Sequence, residues 1–162
     1  MTNAAIRSGF VAGGSGRVGR AVATRLASFG FAATANYAGP AGAPEVVAGI
    51  KATADEAISA QAVVAKAADV EPLFEGTLEV FGRLDVVVHR APIMPLFPVP
   101  EDGVGRYDKV IVINLVGTRL LLTHAAKQIA VGRRIIASLE KFFDRCYPVM
   151  SEMQQSLVLN QS

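Results

Sequence analysis

The chain has 162 residues, 51% of them hydrophobic, a formal net charge of +2 and a single cysteine. That length suits one domain with a real core, and the lone Cys146 excludes an internal disulfide and fits a reducing cytoplasm. Charge without basic clusters gives no electrostatic case for nucleic acid, no uninterrupted apolar run reaches the ~18 residues of a membrane span, and the start, Met1-Thr2-Asn3-Ala4-Ala5-Ile6-Arg7, lacks the build of a secretory signal.

Apolar runs alternate with helical stretches, which predicts a parallel sheet with helices on both faces. The first strand covers Gly9 to Ala12 and enters the turn Gly13-Gly14-Ser15-Gly16-Arg17-Val18-Gly19. A helix follows from Arg17 to Ser28, with Val18, Val22 and Leu26 on one face and Gly30 as its stop. In this strand-turn-helix setting the glycines let the backbone approach a pyrophosphate, whose charge meets free N–H groups at the helix start. The plainer alternative is an ordinary strand-to-helix turn.

The second strand is Phe31 to Asn36, then a Gly/Pro loop through Pro44 and a second helix from Pro44 to Ala54. Strand three is Ala57 to Ala62, and the third helix spans Val70 to Phe81, with Gly82 ending it. Strand four, Leu84 to His89, is apolar on both faces, as a central parallel strand requires. A proline-rich loop, Pro92 to Pro100, precedes a fourth helix from Glu101 to Ala130 that carries Val110, Ile113, Leu121 and Ala125. Strand five is Arg134 to Ser138. The composition then changes, because residues 139–162 contain neither Ala nor Gly. The expected organisation is a nucleotide-binding domain over 1–138 and a divergent tail over 139–162, not a separate domain. The tail is either a cap over the sheet, with Leu139, Phe142, Phe143 and Cys146 at helical spacing, or foreign sequence joined by a frameshift.

From about Ser8 to Ile136 the chain resembles the short-chain dehydrogenase/reductase family. The likeness is carried by the glycine turn, by Phe31 to Gly39, by Phe81-Gly82-Arg83-Leu84-Asp85-Val86-Val87-Val88, and by Asn114-Leu115-Val116-Gly117-Thr118. The resemblance implies a Rossmann-like oxidoreductase that moves hydride between NAD(P)(H) and an alcohol or carbonyl. It implies strand order 3-2-1-4-5, here without the family's sixth and seventh strands, so strand five is left as an open edge. The spacing of Gly13, Gly16 and Gly19 resembles the extended and atypical branches, whereas the downstream segments resemble the commoner one.

By resemblance the cofactor falls to Gly13, Ser15, Gly16, Arg17, Val18, Gly19, Asn36, Tyr37 and Ala91. An acidic residue after strand two would favour NAD; Asn36 and Tyr37 are neutral and Arg17 is cationic, so NADP(H) is favoured over NAD(H). The plainer roles are a solvated first-turn arginine and a polar strand end. Val63 stands where the family places an adenine-binding aspartate, with Asp69 expected as a helix N-cap. His89-Arg90-Ala91-Pro92 replaces the family's Asn-Asn-Ala-Gly, so that turn must be remodelled.

Asn114 matches the family's proton-relay asparagine, and Ser138 falls two residues before the serine position at Glu140, where a structural role weighs more. The tyrosine and lysine positions fall near Met153 and Leu157, and no Tyr-x-x-x-Lys exists anywhere in the chain. His89 lies at the carboxyl end of the central strand with no evident orienting partner, and His124 is expected to be packed or at the surface. No metal-ligand spacing and no Gly-x-Ser-x-Gly turn occur. The expectation is a family member that keeps the nucleotide-binding half without dehydrogenase activity, marginally stable alone. The alternatives are a non-catalytic dinucleotide-binding or regulatory module, pairing through the fourth helix with a copy or an intact relative, and a frameshifted pseudogene product.

Overall fold

Small apolar side chains dominate the strands, which lets helices settle closely on both sides of a single sheet. In the computed structural model, which describes residues 6–39, 47–49, 51, 56–90, 93, 104–129 and 131–137, five parallel strands run in the order β3-β2-β1-β4-β5. They are β1 (Arg7–Ala12), β2 (Phe31–Tyr37), β3 (Ala57–Gln61), β4 (Val86–His89) and β5 (Arg134–Ala137). The helices are α1 (Arg17–Ser28), α2 (Ala67–Phe81), α3 (Val104–Ile111) and α4 (Thr118–Gln128), the last two joined by a π-helical turn, Val112–Gly117. The strand order and the doubly wound class are those expected. The second helix, between Pro44 and Ala54, lies mostly outside the described residues, as do the tail 139–162 and Ser138.

Alternation along each strand divides the core in two. Phe10, Ala12 and Val87 face α2 and α4, packing with Val70, Phe74, Leu121 and Ala125. Val11 and Val88 face the other way, onto Ala23 and Ala27 of α1. Phe10 and Phe74 stack with ring centroids 5.0 Å apart, and His124 stacks with Phe74 at 6.3 Å, so His124 is a packed residue. Val64 and Ala62, just beyond β3, complete the same cluster.

Several sequence expectations need correction. The buried line of α1 is Gly19, Ala23 and Ala27, while Val18 is exposed and Val22 and Leu26 only flank the core. The helix approaches the sheet so closely that small residues must lie between them. Strand one begins two residues earlier, at Arg7, and strand four two residues later, at Val86. α2 begins at Ala67 rather than Val70, which moves Pro72 from the expected first turn to beyond it, on an exposed position. Asp69 is therefore inside the first turn rather than at the cap, which is Lys66.

Asp85 explains the shorter β4. It is buried at 2% exposure and accepts the Ser8 N–H at 3.0 Å. Arg83 reaches both its oxygens, at 2.8 and 2.7 Å, and Arg133 Nε lies at 2.9 Å. Burial pushes its pKa up, but the Arg83 hydrogen bonds, the Ser8 N–H and the charges of Arg83 and Arg133 outweigh that and hold it below the ordinary value. Ser8 Oγ also donates to the Arg83 carbonyl. The amino end of the sheet is thereby locked.

Helix Gly105–Gln128 is long and apolar enough to cross a membrane by length and composition, although no uninterrupted apolar run reaches that length. Leu121 and Ala125 are buried against the sheet and α2, whereas Tyr107, Ile111, Val112, Leu115 and Val116 are exposed. β5 pairs with β4 alone among the described residues.

Candidate functional site

The chain runs β1, β2, β3 to one side, then crosses to β4 on the other side of β1. That reversal opens a crevice at the carboxyl ends of β1 and β4, the place where open α/β sheets bind ligands. The glycine turn forms one wall. Gly13 has φ of 75°, a conformation that side-chain-bearing residues rarely adopt, and its carbonyl accepts the Gly16 N–H at 3.1 Å. A Cβ on Gly19 would lie 2.1 Å from the Gly13 oxygen, so only glycine lets α1 start this close to the turn. Gly14 N–H donates to Asn36 O at 2.7 Å, which ties the turn to the end of β2.

The helix start is left open. Gly16 caps α1 with extended backbone and no side-chain hydrogen bond, and the first turn has no acidic residue. Arg20 N–H, to Gly16 O at 2.8 Å, makes the first helical bond. The N–H groups of Arg17, Val18 and Gly19 precede any intrahelical acceptor and carry the positive end of the helix dipole. Arg17 is exposed beside them. The geometry suits an anion such as a pyrophosphate.

The end of β2 separates the roles of Asn36 and Tyr37. Asn36 is 2% exposed, and its Nδ2 donates to the carbonyls of Ala60 and Ala62, both at 3.1 Å. It thereby ties β2 to β3 as a polar strand end. Tyr37 is half-buried beyond it. Asp69 accepts the Val63 N–H at 3.0 Å, shaping the turn after β3 from inside α2.

The opposite wall is the end of β4. His89 pairs in register with Ala12 and is 1% exposed. Its Nε2 lies 2.7 Å from Thr118 Oγ1, at the start of α4, so the orienting partner not evident in the sequence exists. Thr118 Oγ1 also donates to Asn114 O at 2.5 Å. His89 Nδ1 is buried with no hydrogen-bond partner among the described residues. Burial, and then the charge of Arg90, lower the His89 pKa, so the neutral ring is favoured.

Asn114 sits inside the π-helical turn, a distortion often found at functional sites. Its amide makes two bonds to Ile93: the Ile93 N–H donates to Oδ1 and Nδ2 donates to Ile93 O, each at 2.7 Å. Ile93 is thus held from the helix side by Asn114. Ala91 and Pro92 lie outside the described residues. Thr118 is the site residue that the sequence reading missed; its only signal was the Asn-x-x-Gly-Thr segment, in which the threonine lies one helical turn from Asn114. Among the described residues no group of acidic, His or Cys side chains could hold a metal.

Residues 9–137 match the family model described as short chain dehydrogenase. An uncharacterised oxidoreductase of Methylorubrum extorquens is 35% identical over 127 residues, 78% of this chain and 51% of that protein. A 3-oxoacyl-[acyl-carrier-protein] reductase of Synechocystis is 35% identical over 135 residues, 83% and 54% respectively. Among solved structures, a short chain dehydrogenase from Burkholderia cenocepacia in complex with NADP superposes with a TM-score of 0.80 at 27% identity, covering 94% of this chain and 64% of that one. The chain spans about half the length of the curated relatives it matches.

Proposed function

The chain belongs to the short-chain dehydrogenase family, and we propose that it serves there as an NADP(H)-binding unit that lacks dehydrogenase activity of its own. The observation that carries the binding half is the open start of α1, where a glycine-built turn leaves first-turn N–H groups facing a crevice beside the cationic Arg17. Gly13, Ser15, Gly16, Arg17, Val18 and Gly19 cradle the pyrophosphate and Tyr37 flanks the adenine side, while Ala91, expected beside the cofactor, lies outside the described residues. The preference for NADP rests on Arg17 and on the absence of an acidic residue at Asn36 or Tyr37. The neighbour solved with NADP supports it.

Hydride transfer in this family, by the resemblance, needs a tyrosine made acidic by a lysine four residues on. Tyr37, Tyr107 and Tyr147 are followed at that distance by Ala41, Ile111 and Ser151. Without a neighbouring cation to stabilise the phenolate, a tyrosine is a poor proton donor or acceptor at neutral pH. Asn114 alone, with both amide atoms on Ile93, supplies no proton.

A second reading, a regulatory module that pairs with a copy or an intact relative, is favoured by the exposed stripe of Tyr107, Ile111, Val112, Leu115 and Val116. Titration of the purified chain followed by NADPH fluorescence tests the first reading. Saturable binding, tighter than for NADH, is expected, with no turnover of carbonyl substrates. Absence of binding at millimolar cofactor contradicts the binding claim, and turnover contradicts the claim of lost chemistry.

A further inference from the structure

The hydrogen bonds around His89 can be ordered by which atom has a proton to give. A backbone carbonyl only accepts, so the single proton of Thr118 Oγ1 goes to Asn114 O. Thr118 Oγ1 therefore meets His89 as an acceptor, and His89 Nε2 carries the ring proton. In the neutral ring Nδ1 is then a bare lone pair, and among the described residues it is buried without a partner. The direction of the threonine bond thus fixes the tautomer, and the nitrogen left bare is the one that no donor faces among the described residues.

The chain of bonds continues past Thr118. Asn114 O lies in the π-helical turn, and the Asn114 side chain holds Ile93 by both its N–H and its carbonyl. A continuous path thus leaves the end of β4 at His89, passes through the helix, and returns to the loop at Ile93. The loop between those ends is the one in which His-Arg-Ala-Pro replaces the family's Asn-Asn-Ala-Gly. Around the ring, β1 offers Ala12, β5 offers Ala137 and the helix offers Thr118, and the charge that bears on it is that of Arg90.

Resting on the reading of this crevice as the dinucleotide site, we propose that His89 is a positioning residue: as the Nε2–H tautomer it anchors Thr118, and through Thr118 the π-helical turn whose Asn114 clamps the loop at Ile93. Without the imidazole, the Thr118 hydroxyl keeps its helical acceptor but loses the donor that pins it to the sheet. The turn is then free to shift relative to β4, and the clamp on Ile93 loosens with it.

Amide hydrogen exchange read residue by residue tests this directly, because the Ile93 N–H is itself a bond of the clamp. His89→Ala and Thr118→Val are each expected to speed exchange at Ile93 about tenfold relative to Phe10 in β1. His89→Asn, which retains a neutral donor, is expected to restore most of the protection. Long-range ¹⁵N spectra of the wild-type ring are expected to show Nε2 protonated and Nδ1 bare at neutral pH. Unchanged protection of Ile93 in both variants, loss that only keeps step with Phe10, or a proton on Nδ1 would each overturn the proposal. Neither readout uses cofactor. A wild-type chain that binds no NADPH but shows the expected exchange pattern would defeat the reading of the crevice and leave the positioning role intact.

Discussion

β1 and β4 lie side by side in one sheet, yet their two ends are finished in opposite ways. At the amino end the buried Asp85 meets Ser8, Arg83 and Arg133, and the backbone bonds Asp85 N–H to Ser8 O and Arg134 N–H to Asp85 O close the corner. At the carboxyl end Gly16 brings no capping side chain, and His89 Nδ1 is buried without a partner among the described residues. The same strands thus carry a closed polar network at one end and unanswered donors and an acceptor at the other. An end whose groups answer one another adds stability, whereas an end left open is where a ligand completes the set.

Substitutions at the two ends should therefore separate binding from stability. The largest effect is expected from Gly19→Val, whose Cβ would meet backbone at 2.1 Å. It should weaken NADPH binding by about 100-fold and destabilise the fold by about 3 kcal/mol, measured by fluorescence titration and urea melts. Gly76→Ala is the control, because nothing lies within 4 Å of that position on α2. It should leave binding unchanged and stabilise the helix by about 0.5–1 kcal/mol.

Asp85→Ala acts on the other end. It strands the buried Ser8 N–H and should lower stability by about 2 kcal/mol while the folded chain binds cofactor as before. Because the folded pKa of Asp85 is lowered, its contribution is present above the ordinary carboxylate pKa and is lost as pH falls through the folded value. Urea midpoints of the alanine variant should accordingly lack that part of the acid dependence. A loss of NADPH affinity equal to that of Gly19→Val would erase the distinction between the two ends.

Arg17→Ala should weaken NADPH by about fivefold with NADH little changed, and the difference should shrink as salt is added. The smallest effect belongs to His89. Its folded pKa is lowered, so the unfolded chain binds the proton more readily, and stability should decline as pH falls from the unfolded value near 6.5 toward the folded one. His89→Asn should flatten that part of the pH profile, measured by thermal melts between pH 5 and about 8.

Much of the fold was legible in the sequence because alternation, glycine stops and apolar central strands are local signals. The bounds of α1 and the extent of β2 to within one residue follow from them, whereas the strand order is what the family resemblance implies. The buried face of α1 was not legible, because hydrophobicity points to Val18 and Val22 while close approach to the sheet selects Gly19, Ala23 and Ala27. The start of β4 was missed because Leu84 is apolar, whereas Asp85 is held by long-range partners, Ser8 and Arg133, that no local window contains. At the site, the glycine turn was visible as a motif. The His89–Thr118 pair was not, since its members are far apart in sequence and meet only when β4 and α4 pack together.

The contrast between the two ends has a direct test in amide chemical-shift changes on adding NADPH to the labelled chain. The account predicts shifts concentrated at Gly13–Gly19 and at Ile93, with Ser8, Arg83, Asp85 and Arg133 unmoved. Shifts centred on the Asp85 cluster, or none anywhere at saturating cofactor, would contradict it.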